Sequence, residues 1–304
     1  MAGGGLLSPA VCLTLAAVPI PKALEFPALL MHRCRPGVAV SILALLPVLP
    51  PVQMRAQTAE SPAPRTAQDP TKPQHPRSAT ALPSPRSIID RHIAAIGGRA
   101  AILARTSTHA TGTVSIPSAG MTGSVDVFAA KPDKTLLRIT LGGIGAIEEG
   151  FDGKIGWSLS PMTGPALVQG KELEQKRFDS DFLSDLHADT RYESMTTLEQ
   201  LDFEGRPCYK VRLVRKGGGE EFAFYDVKTG LKAGSIMTRE SPMGPVTATT
   251  VETDYRQFGP LLQPATVKST AVGLQQIITV TAIEYDTVPP ATFEPPAAIK
   301  ALLK

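Results

Sequence analysis

The sequence predicts a mainly β fold with few helices, and three observations carry that reading. Apolar and polar residues alternate with period two through much of the last two hundred residues, the mark of strands with one apolar and one wet face. Turn signals built on Gly, often with Asp, recur about every eight to twelve residues, the spacing of an antiparallel meander or barrel. No helical pattern of crossover length alternates with the strands, which argues against a parallel, doubly wound sheet.

The first thirty residues contain no Lys or Arg before Lys22 and are broken repeatedly by Pro. Residues 1–30 read as an over-extended start. From Met31 the layout changes. His32, Arg33 and Arg35 form a basic n-region, Gly37 to Val52 an apolar h-region, and Gln53 to Gln57 a short exit. Residues 31–56 thus read as a secretory signal peptide with Ala56 the last residue before cleavage, which places the mature protein in the periplasm. The alternative, a membrane anchor, is disfavoured because the run is short and Pro-rich against a span of about 20 residues. Residues 57–85 form a Pro-rich linker that cannot bury a core and is expected to be disordered or extended.

Cysteine and charge fit export. Of the three cysteines, Cys12 and Cys34 precede the expected cut, so Cys208 remains alone and no internal disulfide forms. Neither early cysteine stands in a lipidation context. Cys208 lies in an alternating run and reads as a small strand residue. The chain carries a formal +3, but residues 1–56 hold Lys22, Arg33, Arg35 and Arg55 against Glu25, so the remainder is neutral. Nothing in it points to nucleic-acid binding.

Residues 86–304 read as one domain. It opens with a helix capped by Ser87, with Ile88, Ile89, His92, Ile93 and Ile96 at helical spacing. Gly97-Gly98 stops it, and a short helical turn resumes over 99–105. Strands follow: Val125 and Val127, Leu137 and Ile139, Tyr209, Val211 and Leu213, and Ile278 and Val280 each alternate with their neighbours. The turns between strands include Phe151-Asp152-Gly153-Lys154, with Trp157 just beyond, and Tyr225-Asp226-Val227-Lys228-Thr229-Gly230-Leu231. Asp254-Tyr255-Arg256 marks a strand end. Gly and Asp tolerate the backbone such turns need. One segment interrupts the strands as a helix, Lys171 to about His187, with Phe178, Phe182, Leu183 and Leu186 on one arc. In that position it can plug or cap the concave face of the sheet.

Catalytic motifs are absent: no HExxH, CxxC, Walker loop or GxSxG occurs. No catalytic residue, metal site or cofactor is assigned, and the chain reads as not an enzyme. Asp179, Asp181, Asp185, His187 and Asp189 could in principle hold a divalent metal, but the flank of an amphipathic helix explains them better. Lys210, Arg212, Arg215 and Lys216 read as the outer face of a strand. Glu148-Glu149 and Glu220-Glu221 read as exposed turn charges. Trp157 packs over the sheet or lines a ligand cavity.

A signal peptide, an N-terminal helix ending in Gly-Gly, the Phe-Asp-Gly-Lys turn followed by Trp, the Tyr-Asp-x-x-Thr-Gly-Leu hairpin and the Asp-Tyr-Arg strand end together resemble the LolA/LolB-like superfamily. That superfamily contains periplasmic outer-membrane lipoprotein-sorting proteins and uncharacterised relatives. The resemblance covers about residues 87–290 and rests on turns, so it speaks more to fold than to activity. It implies an incomplete antiparallel β-barrel, a half-barrel, with a helical lid over an apolar interior that receives acyl chains. The implied partner is a lipid or acylated lipoprotein, bound by a monomer. On the strand and helix patterns Val125, Val127, Leu137, Ile139, Trp157, Tyr209, Val211 and Leu213 are the candidate lining, the opposite phase of each strand being the alternative, and Phe178, Phe182, Leu183 and Leu186 lie on the lid. The competing reading is a non-enzymatic interaction or accessory module of an envelope or peptidase complex, with a filled core and an envelope protein as partner.

Overall fold

The computed structural model describes residues 81–239, 241 and 244–304. The expected over-extended start, the signal peptide and the linker up to residue 80 lie outside the described residues. The linker was expected to run to residue 85. Its last residues belong instead to the fold: Thr197 Oγ1 donates to the Pro83 carbonyl at 2.8 Å, and Pro85 is the first residue of α1 (Pro85–Ala95).

Ser84, not Ser87, caps α1, its Oγ accepting from the Ser87 N–H at 3.2 Å. Pro85 fits the first helical position because its missing N–H is an orphan there anyway. Ile88, Ile89, His92 and Ile93 form the buried stripe. Gly97 and Gly98, at φ 128° and 87°, break the helix before α2 (Arg99–Leu103).

Two runs of strands follow. The first is β1 (Ser107–Ile116), β2 (Met121–Ala130), β3 (Lys134–Leu141), β4 (Gly145–Phe151), β5 (Gly156–Ser160) and β6 (Gly164–Val168). A crossover then carries α3 (Gly170–Asp179), a 3₁₀ turn (Ser184–Leu186) and α4 (Ala188–Arg191). The second run is β7 (Tyr192–Phe203), β8 (Arg206–Arg215), β9 (Glu220–Asp226), β10 (Lys232–Arg239), β11 (Val246–Phe258), β12 (Leu261–Ala271) and β13 (Leu274–Tyr285). A 3₁₀ turn (Pro290–Phe293), α5 (Ala297–Lys300) and a last 3₁₀ turn (Ala301–Leu303) follow.

All thirteen strands form one sheet in the order β6-β5-β4-β3-β2-β1-β13-β12-β11-β10-β9-β8-β7. Every pairing is antiparallel. The chain begins mid-sheet, steps outward to the edge at β6, crosses to the opposite edge at β7 and steps back until β13 joins β1. The sheet is mainly β architecture left open at both edges, the half-barrel the sequence suggested.

Its curvature follows from three contacts. Lys176 Nζ reaches Glu149 of β4 at 3.4 Å, Asp179 pairs with Arg239 of β10, and Gln175 accepts from Arg215 of β8. Lys176 and Asp179 are separated by about 4.5 Å of helical rise. In a flat sheet β4 and β10 would stand about 34 Å apart, at ~4.8 Å per strand. The sheet therefore curls around α3, and the helix-bearing face is the inner one.

The turns behave as their chemistry requires. Asp152 Oδ1 accepts from the Lys154 and Ile155 N–H groups at 2.8 and 2.7 Å. Asp226 Oδ1 does the same for Lys228 and Thr229 at 2.9 and 2.6 Å. Asp254 differs: it sits at φ 53° within β11, where the pairing skips a residue, and not at the strand's end.

The outer face is covered at one end by the C-terminal segment. There Trp157 and Leu136 form a cluster with Phe293 and Ile299. Gly150 lies opposite Trp157 in the register, and a Cβ added at Gly150 would overlap the indole. Gly150→Val should therefore destabilise the fold by about 1–3 kcal/mol through overpacking. Urea unfolding followed by the emission of the single Trp measures this; an unchanged midpoint would mean that the indole does not rest on Gly150.

Candidate functional site

The inner face divides into two sectors. One spans β13, β1, β2, β3 and β4. There Val125 pairs with Ile139, Val127 with Leu137, and Ile139 with Ile147, so all of these side chains share a face. They join Val114, Leu141, Ile278 and Val280 in a cluster to which, among the described residues, no helical side chain belongs. Several members, among them Val127, Leu137, Ile147 and Ile283, are only partly buried.

The other sector, over β8 and β9, is capped. Val211, Leu213, Ala223 and Tyr225 pack against Ile88, Ile89 and Ile93 of α1 and against Leu186 of the crossover. Between the sectors Phe182 packs with Ala101, Ala129 and Leu261, and its N–H donates to the Pro132 carbonyl at 3.1 Å.

Helix α3 has no fully buried residue; it rests on the inner face through polar contacts, with Leu173 beside Gly156 and Phe178 edge-on to Tyr192. Asp179 and Arg239 are 8% and 10% exposed in their pair. Arg215, 4% exposed, donates to Gln175 Oε1 and to Met237 Sδ, the latter at 3.4 Å. Two guanidinium groups lie against the Phe178 ring, with Arg191 Cζ at 3.8 Å and Arg215 Cζ at 4.7 Å from its centre.

Below α1 the wall is charged. Lys232 Nζ lies 3.7 Å from both Glu221 and Glu252. Tyr192 Oη donates to Glu221 at 3.4 Å, and Tyr255 Oη lies 2.9 Å from Glu252. Burial holds the Tyr192, Tyr225 and Tyr255 phenols above their usual range, so they remain protonated donors.

The structure thus brings Val125, Val127, Leu137 and Ile139 together in the open sector, and Tyr209, Val211 and Leu213 together beneath α1, all on the inner face. Leu183 bridges the capped sector and the Phe182 cluster. Trp157 is separated from them. It aligns with Gly150, which aligns with Leu136, the outer-face phase of β3. Its indole is fully buried under the C-terminal segment and does not line the inner face. Phe178 meets the Arg191 and Arg215 guanidinium groups and the edge of the Tyr192 ring, outside the buried clusters.

The helix expected over 171–187 is interrupted. It ends at Asp179 because Asp181 turns its carboxylate back on the main chain, accepting from the Leu183 N–H at 3.1 Å, and such local bonds compete with the helix. The same carboxylate takes His187 Nδ1 and Arg191 at 3.0 Å. Asp179 pairs with Arg239 and Asp189 with Arg86. Among the described residues no group of three or more His, Cys, Asp or Glu is placed to hold a metal.

The charged strands also differ from the sequence reading. Lys210 and Arg212 face outward, but Arg215 turns inward with Val211 and Leu213. Glu148 and Glu149 lie within β4, paired with Arg138 and Lys176, and Glu221 is buried. Cys208 is fully buried, its thiol pushed up to about 11 by burial and so unreactive at neutral pH. The inward arginines leave one sequence signal: Arg215 shares the odd phase of Val211 and Leu213.

No protein-family model matches the chain, and no curated protein matches it. Solved structures do. A LolA superfamily protein from Nitrosomonas europaea matches at 10% identity over 70% of this chain and 99% of that one, with a TM-score of 0.48. A DUF1329 family protein from Desulfovibrio piger matches at 11% identity over 69% and 96%, TM-score 0.48. A domain described as outer membrane lipoprotein-sorting, from Vibrio parahaemolyticus, matches at 12% identity over 71% and 97%, TM-score 0.45.

His92 gives the site a pH dependence. It is 6% exposed on α1, edge-on to Tyr225 at 5.5 Å, and its Nδ1 has no hydrogen-bond partner among the described residues. Burial first, then the charge of Lys232, pushes the imidazole down to about 3. The unfolded imidazole takes up its proton near pH 6.5. Between those values the unfolded chain binds more protons, so stability is full above about pH 6.5 and falls as the pH drops. The slope from this group approaches about 1.4 kcal/mol per pH unit. Urea midpoints at several pH values from 7 to 4 should fall less steeply in His92→Leu than in the wild type; parallel slopes would mean that the wild-type imidazole is protonated in place.

The clamp on α3 gives a second test. Asp179→Ala should cost on the order of 3 kcal/mol, because it takes one carboxylate away from the buried Arg239 guanidinium, whereas Asp179→Leu with Arg239→Met should cost clearly less. Equal losses in the single and double variants would show that the pair is not coupled.

Proposed function

We propose that this chain is an exported envelope protein that holds a lipid, or the acyl chain of a lipoprotein, against the apolar sector of its inner face, and serves as a non-enzymatic carrier. The observation that carries the reading is the asymmetry of that face. One half is capped by α1 and the crossover, while the half built on β13 and β1–β4 has an apolar cluster with, among the described residues, no helical member and several half-buried side chains.

An acyl chain suits such a wall because burial stabilises it by about 0.8 kcal/mol per CH₂ without directional chemistry. A strap held by ion pairs suits it too. Displacing α3 exposes charge and amide groups to water instead of stripping an apolar core. A monomer in the periplasm, delivered by the expected signal peptide, fits this role. A half-barrel needs cover over its concave apolar face in any case, since an open face of that kind would invite aggregation.

A second reading, an interaction or accessory module, is favoured by one observation. Val125 and Leu141 are each only 2% exposed. A wall shut by its own side chains would hold no ligand, and binding would pass to an edge strand.

Native mass spectrometry of the protein purified from an exporting host without detergent separates the two. The carrier reading expects co-purifying mass that organic extraction identifies as phospholipid or acyl chain. Val127→Asp with Leu137→Asp, both on half-buried wall positions, should reduce that retained fraction at least about tenfold, since a carboxylate against the chain is costly. A clean apo mass that stays clean after incubation with lipid would overturn the carrier reading in favour of the accessory module.

A further inference from the structure

The two rims of the half-barrel differ in a way that the inner face does not explain. Because every pairing is antiparallel, alternate connections lie at the same end of the sheet. Along the half running from β6 to β12, one end carries four connections: 117–120, 142–144, 161–163 and 272–273. Their residues are Pro-Ser-Ala-Gly, Gly-Gly-Ile, Pro-Met-Thr and Val-Gly, with no charge among them. The opposite end of the same half carries Lys131 and Asp133 between β2 and β3, and Asp152 and Lys154 between β4 and β5.

The uncharged rim also projects apolar side chains. Val272 is 74% exposed and Met162 39%. Val272 holds φ 50°, a conformation that a β-branched residue rarely adopts, and it presents its side chain at the tip of the β12–β13 hairpin. Met121 and Ile144, beside two other tips, pack against the inner apolar wall. At two of the tips, then, apolar side chains lead from the rim to that wall.

We propose that this rim is a membrane-docking surface, and that its partner is the surface of a lipid bilayer. Charged side chains resist entry into the headgroup and acyl boundary, and here they are absent from four successive tips. Isolated apolar side chains on Gly- and Pro-containing turns need no shape-matched partner, and a fluid apolar phase supplies none. The charged rim faces water when the other one docks. The inference goes beyond lipid holding: docking requires only the tips, whereas holding requires the inner wall, and the two fail separately.

The test is flotation of the full protein with vesicles of phosphatidylethanolamine and phosphatidylglycerol, and with vesicles of phosphatidylcholine. The wild type is expected to float with both, with little loss at high salt. Met162→Asp with Val272→Asp should lower the floated fraction on the order of tenfold, while thermal unfolding and detergent-free retained lipid stay as in the wild type. Lys154→Glu, on the opposite rim, should float like the wild type.

A wild type that does not float, or a double variant that floats unchanged, overturns the proposal. So does binding confined to the anionic vesicles and abolished by salt, which would be a basic-patch contact. Concentration-dependent dimerisation that the double variant abolishes, without vesicle binding, would assign the rim to a second copy of the chain and equally overturn it.

Discussion

The crossover from β6 to β7 is the constraint on which the rest of this structure depends. The chain leaves the sheet at one edge and must re-enter at the other. In a flat sheet those edges would stand about 58 Å apart, at ~4.8 Å per strand. The segment between them contains α3, a 3₁₀ turn and α4, and its helical rise leaves it a reach of only about 50 Å. The sheet must curl for the chain to connect at all. The curl creates an inner face, and the crossover becomes the strap over it.

How the strap is held decides what the inner face can do. An apolar helix over an apolar wall would seal it by the same force that binds an acyl chain. Here α3 has no fully buried residue and is tied by Asp179 to Arg239, Gln175 to Arg215 and Lys176 to Glu149. Ion pairs shielded from water are costly to break singly but are replaceable by hydration when a helix lifts as a whole. Apolar contact is concentrated instead at the strap's far end, where Phe182 and Leu186 pack into the sheet and α1. That end acts as an anchor, and α3 as the part resting on charges.

Much of this was legible in the sequence because it is local. The alternation at Val125–Val127, Leu137–Ile139 and Tyr209–Leu213 gives the strands and their two faces, though not which face turns inward. Asp152 and Asp226 give their turns through their own side chains, and the isoleucines of α1 give its buried stripe. What failed was non-local. Alternation says that two faces exist but not which one Trp157 takes; that is decided by Gly150 and by Phe293 and Ile299, more than a hundred residues further on. The break after Asp179 hinged on one carboxylate preferring main-chain donors to solvent. Arg215 read as outward because cations usually face water, although its phase already placed it with Val211 and Leu213.

The central claim is that the strap holds the sheet curled, and the distance between the two edges tests it most directly. Spin labels at Ala166→Cys on β6 and Ser194→Cys on β7, both exposed, with Cys12 and Cys34 replaced and the buried Cys208 left unlabelled, report that distance by pulsed electron resonance. The account predicts a wild-type distance well below the flat-sheet value of about 58 Å, and a longer, broader distribution in Lys176→Ala with Asp179→Ala. A wild-type distance near the flat value, or one that the double substitution leaves unchanged, would contradict it.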